Sequence, residues 1–432
     1  MKKTNLWVAV ALMTALTAMM GCGNDGDADD QPDVTDPTQP SNEGEINYIE
    51  LTRAQQQLVK GSNDFAFNLF RLARSGQSST ASGQPSMVLS PISVTYALGM
   101  LNNGAAGQTQ QQICQVLGFG DTGADGINDF CRKMLTDAPR LDKQTKVLIA
   151  NTVFMNQPYR LLPDFVHKAA DYYDATPETR NFHDGKTLGV INQWGSDHTE
   201  KMIEKVLSED EFDADAVSYL LNAIYFKGTW TSKFDKDETK NETFHASTDR
   251  EVPMMHQNQS FNYGENDLCQ MLCLPFGNAL YRMTVLLPRE GKTIDDVLQT
   301  LTAENWLRQY SPYENAIVDV KLPRFESNTN QNLVEMMKQL GMTDAFNPDV
   351  ADFSAFCYNP TYISLMKQVA RIKIDEQGGE AAAVTVIGML LTSTGEHQEP
   401  RHVNFHATRP FLYVISEQSS GAIFFIGQYM GD

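Results

Sequence analysis

Residue types that do chemistry are present, but their spacing does not assemble an active site. The eight histidines are His167, His183, His198, His245, His256, His397, His402 and His406, and they follow no HExxH or comparable metal-ligand pattern. His402 and His406 stand four apart, but their segment reads as a strand rather than a helix. No GxSxG elbow marks a nucleophilic serine, no GxxxxGK(S/T) or GxGxxG loop marks a phosphate site, and the carboxylates show no pairing pattern. Beyond Cys22 the cysteines are Cys114, Cys131, Cys269, Cys273 and Cys357, an odd set with no CxxC spacing, which favours free buried thiols. No catalytic residue, metal ligand or cofactor is expected.

One segment is unusual for a folded domain: residues 376–395, EQGGEAAAVTVIGMLLTSTG. Gly378 and Gly379 give a hinge of high backbone freedom, and Glu380, Ala381, Ala382, Ala383 and Thr385 follow. Alternation puts Gly379, Ala381, Ala383, Thr385, Ile387, Met389 and Leu391 on one face, a surface without charge that could enter a sheet. Composition alone favours a plain core strand or a short Ala-rich helix ending at Gly388.

The elements that must carry this segment are those of one large mixed domain. With 41% apolar residues in 432, the chain can bury a sizeable core. A formal net charge of −20 argues against nucleic-acid binding, which needs clustered cations. Helical spacing is expected from residue 53 and after Ser90-Pro91, and Thr109 with Gln112 fits a capping box. Strand-like runs fall at 147–155, 218–226, 283–287, 317–322 and 372–374. The run from Tyr219 to Tyr225 is apolar on both alternating faces, as in a central strand covered on both sides. Residues 48–432 are expected to form this α+β unit.

The N-terminus reads differently. Lys2 and Lys3 precede an apolar run from Leu6 to Met20 and the small Gly21, so residues 1–21 are expected to be a signal peptide, too short to span a membrane comfortably. Met-Met-Gly-Cys resembles a bacterial lipobox, which implies lipidation of Cys22 and a membrane anchor. Residues 22–47, acidic and poor in apolar groups, are expected to be a disordered linker, similar to the export signals of some Gram-negative surface lipoproteins. The chain is therefore expected to be exported as an outer-membrane lipoprotein facing the periplasm or the outside.

Several separated motifs carry a resemblance to the serpin family that covers nearly everything after residue 50. They include Ser90-Pro91-Ile92-Ser93, Leu98 to Ala105, Ile149-Ala150-Asn151-Thr152-Val153-Phe154, Ile191-Asn192-Gln193-Trp194, Leu221 to Trp230, Leu322-Pro323-Arg324-Phe325, Leu340 to Phe346, Arg409-Pro410-Phe411-Leu412 and Phe424-Phe425-Ile426-Gly427. The resemblance implies a fold of three β-sheets and about eight to nine helices with an exposed reactive-centre loop at about 376–400. It implies an inhibitor rather than an enzyme: a protease cleaves the loop, and the acylated loop inserts into the main sheet and traps it.

By family spacing the reactive bond is Thr392-Ser393, with Leu390 and Leu391 as alternates. Apolar and small residues there suit elastase-like, subtilisin-like or chymotrypsin-like serine proteases, or papain-like cysteine proteases. The hinge is Glu376, Gly378, Gly379, Glu380, Ala381, Ala382, Ala383 and Thr385, and the shutter and breach positions are Ser90, Ser93, Asn222, Gln368 and Trp230. Gln368 stands where the family usually has His, and Ser86 where it usually has Asn. The expected partners are target proteases and, through the anchor, a membrane, with the chain a monomer. A non-inhibitory surface binding protein and an unrecognised surface hydrolase are the alternatives.

Overall fold

In this computed structural model the described residues are 47–76, 84–312, 314–378 and 399–432, and the first element is set by a local signal. Thr52 accepts from the Gln55 backbone while the Gln55 side chain returns to the Thr52 amide, a capping box that opens α1 (Arg53–Ser75). Phe65, Leu69, Phe70 and Ala73 form its buried stripe. After β1 (Met87–Leu89), Pro91 starts α2 (Pro91–Asn102), where its fixed φ suits the first helical position. Every residue of α2 is buried, as a helix that is apolar all round requires.

Helices α3 (Gly107–Val116) and α4 (Ala124–Asp137) follow. The capping box expected at Thr109 and Gln112 does not form. Helix α3 starts earlier, after Ala106, and both polar side chains serve tertiary contacts instead. Thr109 Oγ1 accepts the Asp352 amide at 3.0 Å, and Gln112 Oε1 accepts the amides of Thr343 and Asp344 at 2.9 Å.

The middle of the chain supplies β2 (Thr145–Asn156), α5 (Pro163–Tyr173), β3 (Glu178–Arg180), α6 (Thr187–His198) and β4 (Ser218–Gly228). Then come β5 (Lys240–Phe244), β6 (Arg250–Glu265), β7 (Cys269–Phe276), β8 (Tyr281–Pro288), α7 (Ile294–Leu298), α8 (Ala303–Gln309) and β9 (Glu314–Pro323). The last elements are β10 (Phe325–Asn332), α9 (Val334–Gln339), β11 (Leu365–Ile374), β12 (His402–His406), β13 (Phe411–Glu417) and β14 (Ile423–Tyr429).

A five-stranded sheet has the order β10-β11-β4-β2-β3. Its central strand β4 is sandwiched as its sequence implies. Leu220, Ile224 and Phe226 face the large core that contains α2, while Tyr219, Leu221 and Ala223 pack with Ile191, Ile203, Val206 and Leu207 of α6 and the linker after it. The remaining strands form one sheet of nine, ordered β1-β14-β13-β8-β7-β6-β9-β12 with β5 on β6. Three sheets were expected, and two hydrogen-bonded sheets are found among the described residues. The long strand β6 accounts for the difference, pairing with β5 and β9 over its first part and with β7 at residues 262–265, so two layers share one strand.

Residues Ile46–Asp432 make one compact unit, and Met1–Glu45, with the expected signal peptide and Cys22, lies outside the described residues.

Candidate functional site

Strands β4 and β11 pair in parallel, in register from Leu365 opposite Tyr219 to Ile372 opposite Phe226. Both strands are otherwise bounded by antiparallel neighbours, β10 on one side and β2 on the other. A strand running in the opposite direction between β4 and β11 would be antiparallel to both, the more favourable ladder. This seam is the place where the expected site residues converge.

Midway along it, Gln368 lies opposite Asn222, and both are buried. Gln368 Nε2 donates to Asn222 Oδ1 at 2.7 Å and lies 2.9 Å from the Ser90 carbonyl and 3.0 Å from Ser93 Oγ. Its Oε1 accepts the Ser90 amide at 3.0 Å, and Ser93 Oγ donates to Asn222 Oδ1 at 2.7 Å. The start of α2 is thus tied to both strands of the seam. Asn151 on β2 completes the network, its Oδ1 accepting Asn222 Nδ2 at 2.7 Å. Asn151 was not foreseen as a site residue; the signal was an amide side chain inside the run from Val147 to Met155, whose other residues are apolar apart from Thr152. Ser86 lies apart from this network, bonded to Asp432 and to the Met430 amide.

At the upper end β11 stops at Ile374, and Asp375 to Gly378 bend around Trp230. The Trp230 indole donates to the Asp375 carbonyl at 2.9 Å, and its amide donates to the Gln377 carbonyl at 2.9 Å. The ring itself stacks on Phe276 at 4.2 Å. Gly378 has φ +99°, and a Cβ there would sit 2.4 Å from the Trp230 nitrogen and 2.5 Å from the Gly228 oxygen, so only glycine fits. Gly378 therefore turns the chain directly at the mouth of the seam. The carboxylate of Glu376, 4% exposed, accepts from Thr239 Oγ1 at 2.9 Å and faces Arg324 Nη1 at 3.3 Å. Arg324 and Thr239 were not foreseen as partners, since nothing local links positions so distant in sequence.

The expected hinge residues Gly379, Glu380, Ala381, Ala382, Ala383 and Thr385, and the expected reactive-bond residues Leu390, Leu391, Thr392 and Ser393, lie outside the described residues. The chain is described again from Glu399 at the edge of the nine-stranded sheet. There the Arg401 carbonyl accepts the Ile317 amide at 2.9 Å, and its guanidinium holds Glu265 at 2.5 Å and lies over Tyr263. Beyond it β12 pairs in parallel with β9. Of the cysteines, Cys131, Cys269, Cys273 and Cys357 are buried and Cys114 is half-buried, all free, and burial pushes the Cys131 and Cys269 thiols up to about 12. Among the described residues no group of His, Cys, Asp and Glu is arranged to hold a metal ion.

The family model described as Serpin (serine protease inhibitor) matches residues 60–431. Serpin B3 of Homo sapiens is 30% identical over 397 residues, covering 86% of this chain and 98% of its own. Leukocyte elastase inhibitor of Xenopus tropicalis is 30% identical over 389 residues, covering 87% and 99%. Among solved structures, the thermophilic serpin tengpin in its native state matches with a TM-score of 0.76 at 26% identity, covering 90% of this chain and 96% of that one. Native protease nexin-1 with heparin matches with a TM-score of 0.75 at 27% identity, covering 88% and 100%. A family match over residues 60–431, and a fold whose main sheet leaves two parallel strands paired beside a glycine turn, lead to one conclusion: this chain belongs to the serpin family.

Proposed function

We propose that this chain is a suicide-substrate protease inhibitor that acts by loop insertion. The observation that carries the reading is the direct parallel pairing of β4 and β11 with Gly378 turned at its mouth. That arrangement leaves room in the topology for one more strand, running back from Gly378 and antiparallel to both neighbours.

In the proposed sequence of events the protease nucleophile attacks the Thr392 carbonyl. The Thr392–Ser393 peptide bond breaks, Ser393 leaves as a free amine carrying a proton, and Thr392 remains as an acyl ester. Residues from Gly379 onward then enter between β4 and β11 and carry the acylated protease toward the Ser218 end of the sheet. Each added strand hydrogen bond contributes roughly 0.5–1.5 kcal/mol net. Burial of Ile387, Met389 and Leu391 adds about 1.5–3 kcal/mol each, so the drive is of order ten kcal/mol. Small uncharged side chains at Ala381, Ala382, Ala383 and Thr385 let the first residues enter before water hydrolyses the ester.

The absence of Arg and Lys between Glu376 and Glu399 supports targets with small or apolar primary pockets. The similarity to a protein named leukocyte elastase inhibitor supports an elastase-like protease among them. We further propose that residues 1–21 are a signal peptide, that Cys22 carries the lipid anchor of an exported outer-membrane protein, and that the remainder is a monomeric inhibitory domain on an acidic linker.

The test is to mix the chain with pancreatic elastase and with subtilisin and run denaturing gels. A covalent complex that survives SDS, with a released fragment beginning at Ser393, supports the reading and fixes the bond. Cleavage in the loop without any complex across a broad protease panel overturns it in favour of a surface binding protein.

A further inference from the structure

Strand β11 carries three cations on the face turned toward α6, Lys367, Arg371 and Lys373, and the first two reach to the segment that covers the seam. Lys367 stands opposite Leu221 of β4, its side chain 1% exposed, and its ammonium donates to Glu211 Oε2. Glu211 belongs to the segment between α6 and β4, which is fastened to the β4 side. Ser208 donates to the Glu211 carboxylate through its amide at 3.0 Å and its hydroxyl at 2.6 Å. Phe212 packs at a tilt against both rings of the stacked Phe182–Tyr219 pair, and Asp213 exchanges two hydrogen bonds with the Tyr219 hydroxyl at 2.7 and 2.8 Å. Four residues along β11, Arg371 Nη1 donates to the Met202 carbonyl in the same linker at 2.8 Å.

Parting β4 from β11 therefore requires more than breaking the ladder. Lys367 is bolted to a segment that travels with β4, and a buried ammonium that loses its carboxylate is strongly destabilised unless water reaches it. The covering linker is held to β11 by side-chain charge at one point and by a charge-assisted bond to a carbonyl at the other.

We propose that the Lys367–Glu211 ion pair is a latch across the insertion seam, and that Glu211 is a positioning residue that sets how fast a new strand enters the sheet. The proposal rests on the insertion reading above. The latch holds the five-stranded sheet closed and opens when Lys367 leaves Glu211.

The test uses a synthetic peptide of residues 379–392, added to the full chain without any protease, with its uptake followed on native gels. Glu211→Gln removes the carboxylate charge and leaves Lys367 buried without a counter-ion, so uptake should accelerate by about tenfold or more. Lys367→Met alone should accelerate uptake as well, and the double variant should be no faster than the faster single one, because both changes remove the same bond. Ser208→Ala, which frees the Glu211 carboxylate while leaving both charges in place, should give an intermediate rate. Uptake by Glu211→Gln at the parent rate overturns the latch and leaves the insertion reading standing. A double variant whose acceleration is the product of the two single ones also overturns it, because the two side chains would then act independently and not as a pair. Failure of every form to take up peptide overturns the insertion reading itself, and the latch with it.

Discussion

Gln368 and Asn222 face each other across two parallel strands, joined side chain to side chain at 2.7 Å in an interior where neither meets water. The bond is a closure of the sheet at its midpoint, and it is reinforced from α2 by Ser90 and Ser93. Replacing Gln368 with Leu strands the Ser90 amide and part of the Asn222 carboxamide, which should lower the unfolding free energy by about 2 kcal/mol. Urea unfolding checks this, and an unchanged midpoint would count against it. None of the side chains Ser90, Ser93, Asn151, Asn222 and Gln368 titrates in the ordinary range, so the loss should be equal at pH 5 and pH 8. A Gln368→His variant should instead lose stability as pH falls through the imidazole range, because protonation would place a charge in this buried site.

Glu376 is the buried partner of Arg324, and its site also receives the Thr239 hydroxyl. Glu376→Lys sets an ammonium in a 4%-exposed position facing a guanidinium. Two like charges there, one of them desolvated, should destabilise the protein by about 3 kcal/mol and open the upper seam first. Thermal unfolding with Trp230 fluorescence as probe tests both statements, since the Trp230 amide and indole are bonded to this same turn. Glu376→Gln, which keeps the Thr239 bond, should cost less than half as much.

The fold was legible where burial is local and illegible where a side chain reaches far. Strand β4 could be read because Tyr219 to Tyr225 are apolar on both faces, and α2 because Ser90-Pro91 marks its start. Strand β11 was read only at its last three residues, since Lys367, Gln368 and Arg371 break the apolar pattern of a central strand. Each of these polar side chains takes its partners outside β11: Glu211 for Lys367, Asn222 with Ser90 for Gln368, and Met202 with Glu326 for Arg371. Thr109 and Gln112 misled for the same reason, as polar side chains that looked local and serve distant amides. Gly378 stood out in the sequence for its backbone freedom, but the cause of that glycine is the backbone of Gly228 and Trp230 pressed against it.

Gly378→Ala tests that cause. A Cβ at φ +99°, 2.4 Å from the Trp230 nitrogen and 2.5 Å from the Gly228 oxygen, forces one of two backbones to move. The cost should reach about 2 kcal/mol or more, above the roughly 1 kcal/mol of an ordinary left-handed strain. Insertion should become less complete, read as a larger cleaved fraction per complex formed on denaturing gels. An alanine variant with parental unfolding and parental complex yield would show that the close approach at Gly378 carries no mechanical role.

Acid should reach the seam through Glu211. Burial raises its pKa, but the Lys367 ammonium and the two Ser208 bonds outweigh that and hold the carboxyl below its ordinary value. A carboxylate depressed in the folded state contributes stability that is present above its unfolded pKa and is lost as pH falls through the folded one. The parent should therefore be closed at pH 7 and take up the loop peptide faster in acid, as pH falls below the ordinary carboxylate range. Glu211→Gln should be fast at neutral and acid pH alike, with this part of the acid response gone. An identical acid response in the two proteins would assign it to other carboxylates.

The reactive bond can be tested by changing what it offers a protease. The residues from Met389 to Thr392 are apolar or small and include no cation, whereas the charged primary pocket of trypsin-like enzymes pairs an acid with Arg or Lys at the residue before the cut. Thr392→Arg supplies that cation without touching the hinge or the residues proposed to enter the sheet first. If Thr392 donates the acyl group, the variant should form an SDS-stable complex with trypsin at a rate at least about a hundredfold above the parent, and lose elastase capture by a comparable factor. Because the length inserted is set from Gly378, the same substitution at a wrong register would be cut by trypsin and released. Cleavage after residue 392 with no complex would therefore place the bond elsewhere, and Leu390→Arg and Leu391→Arg would then identify it by the same readout.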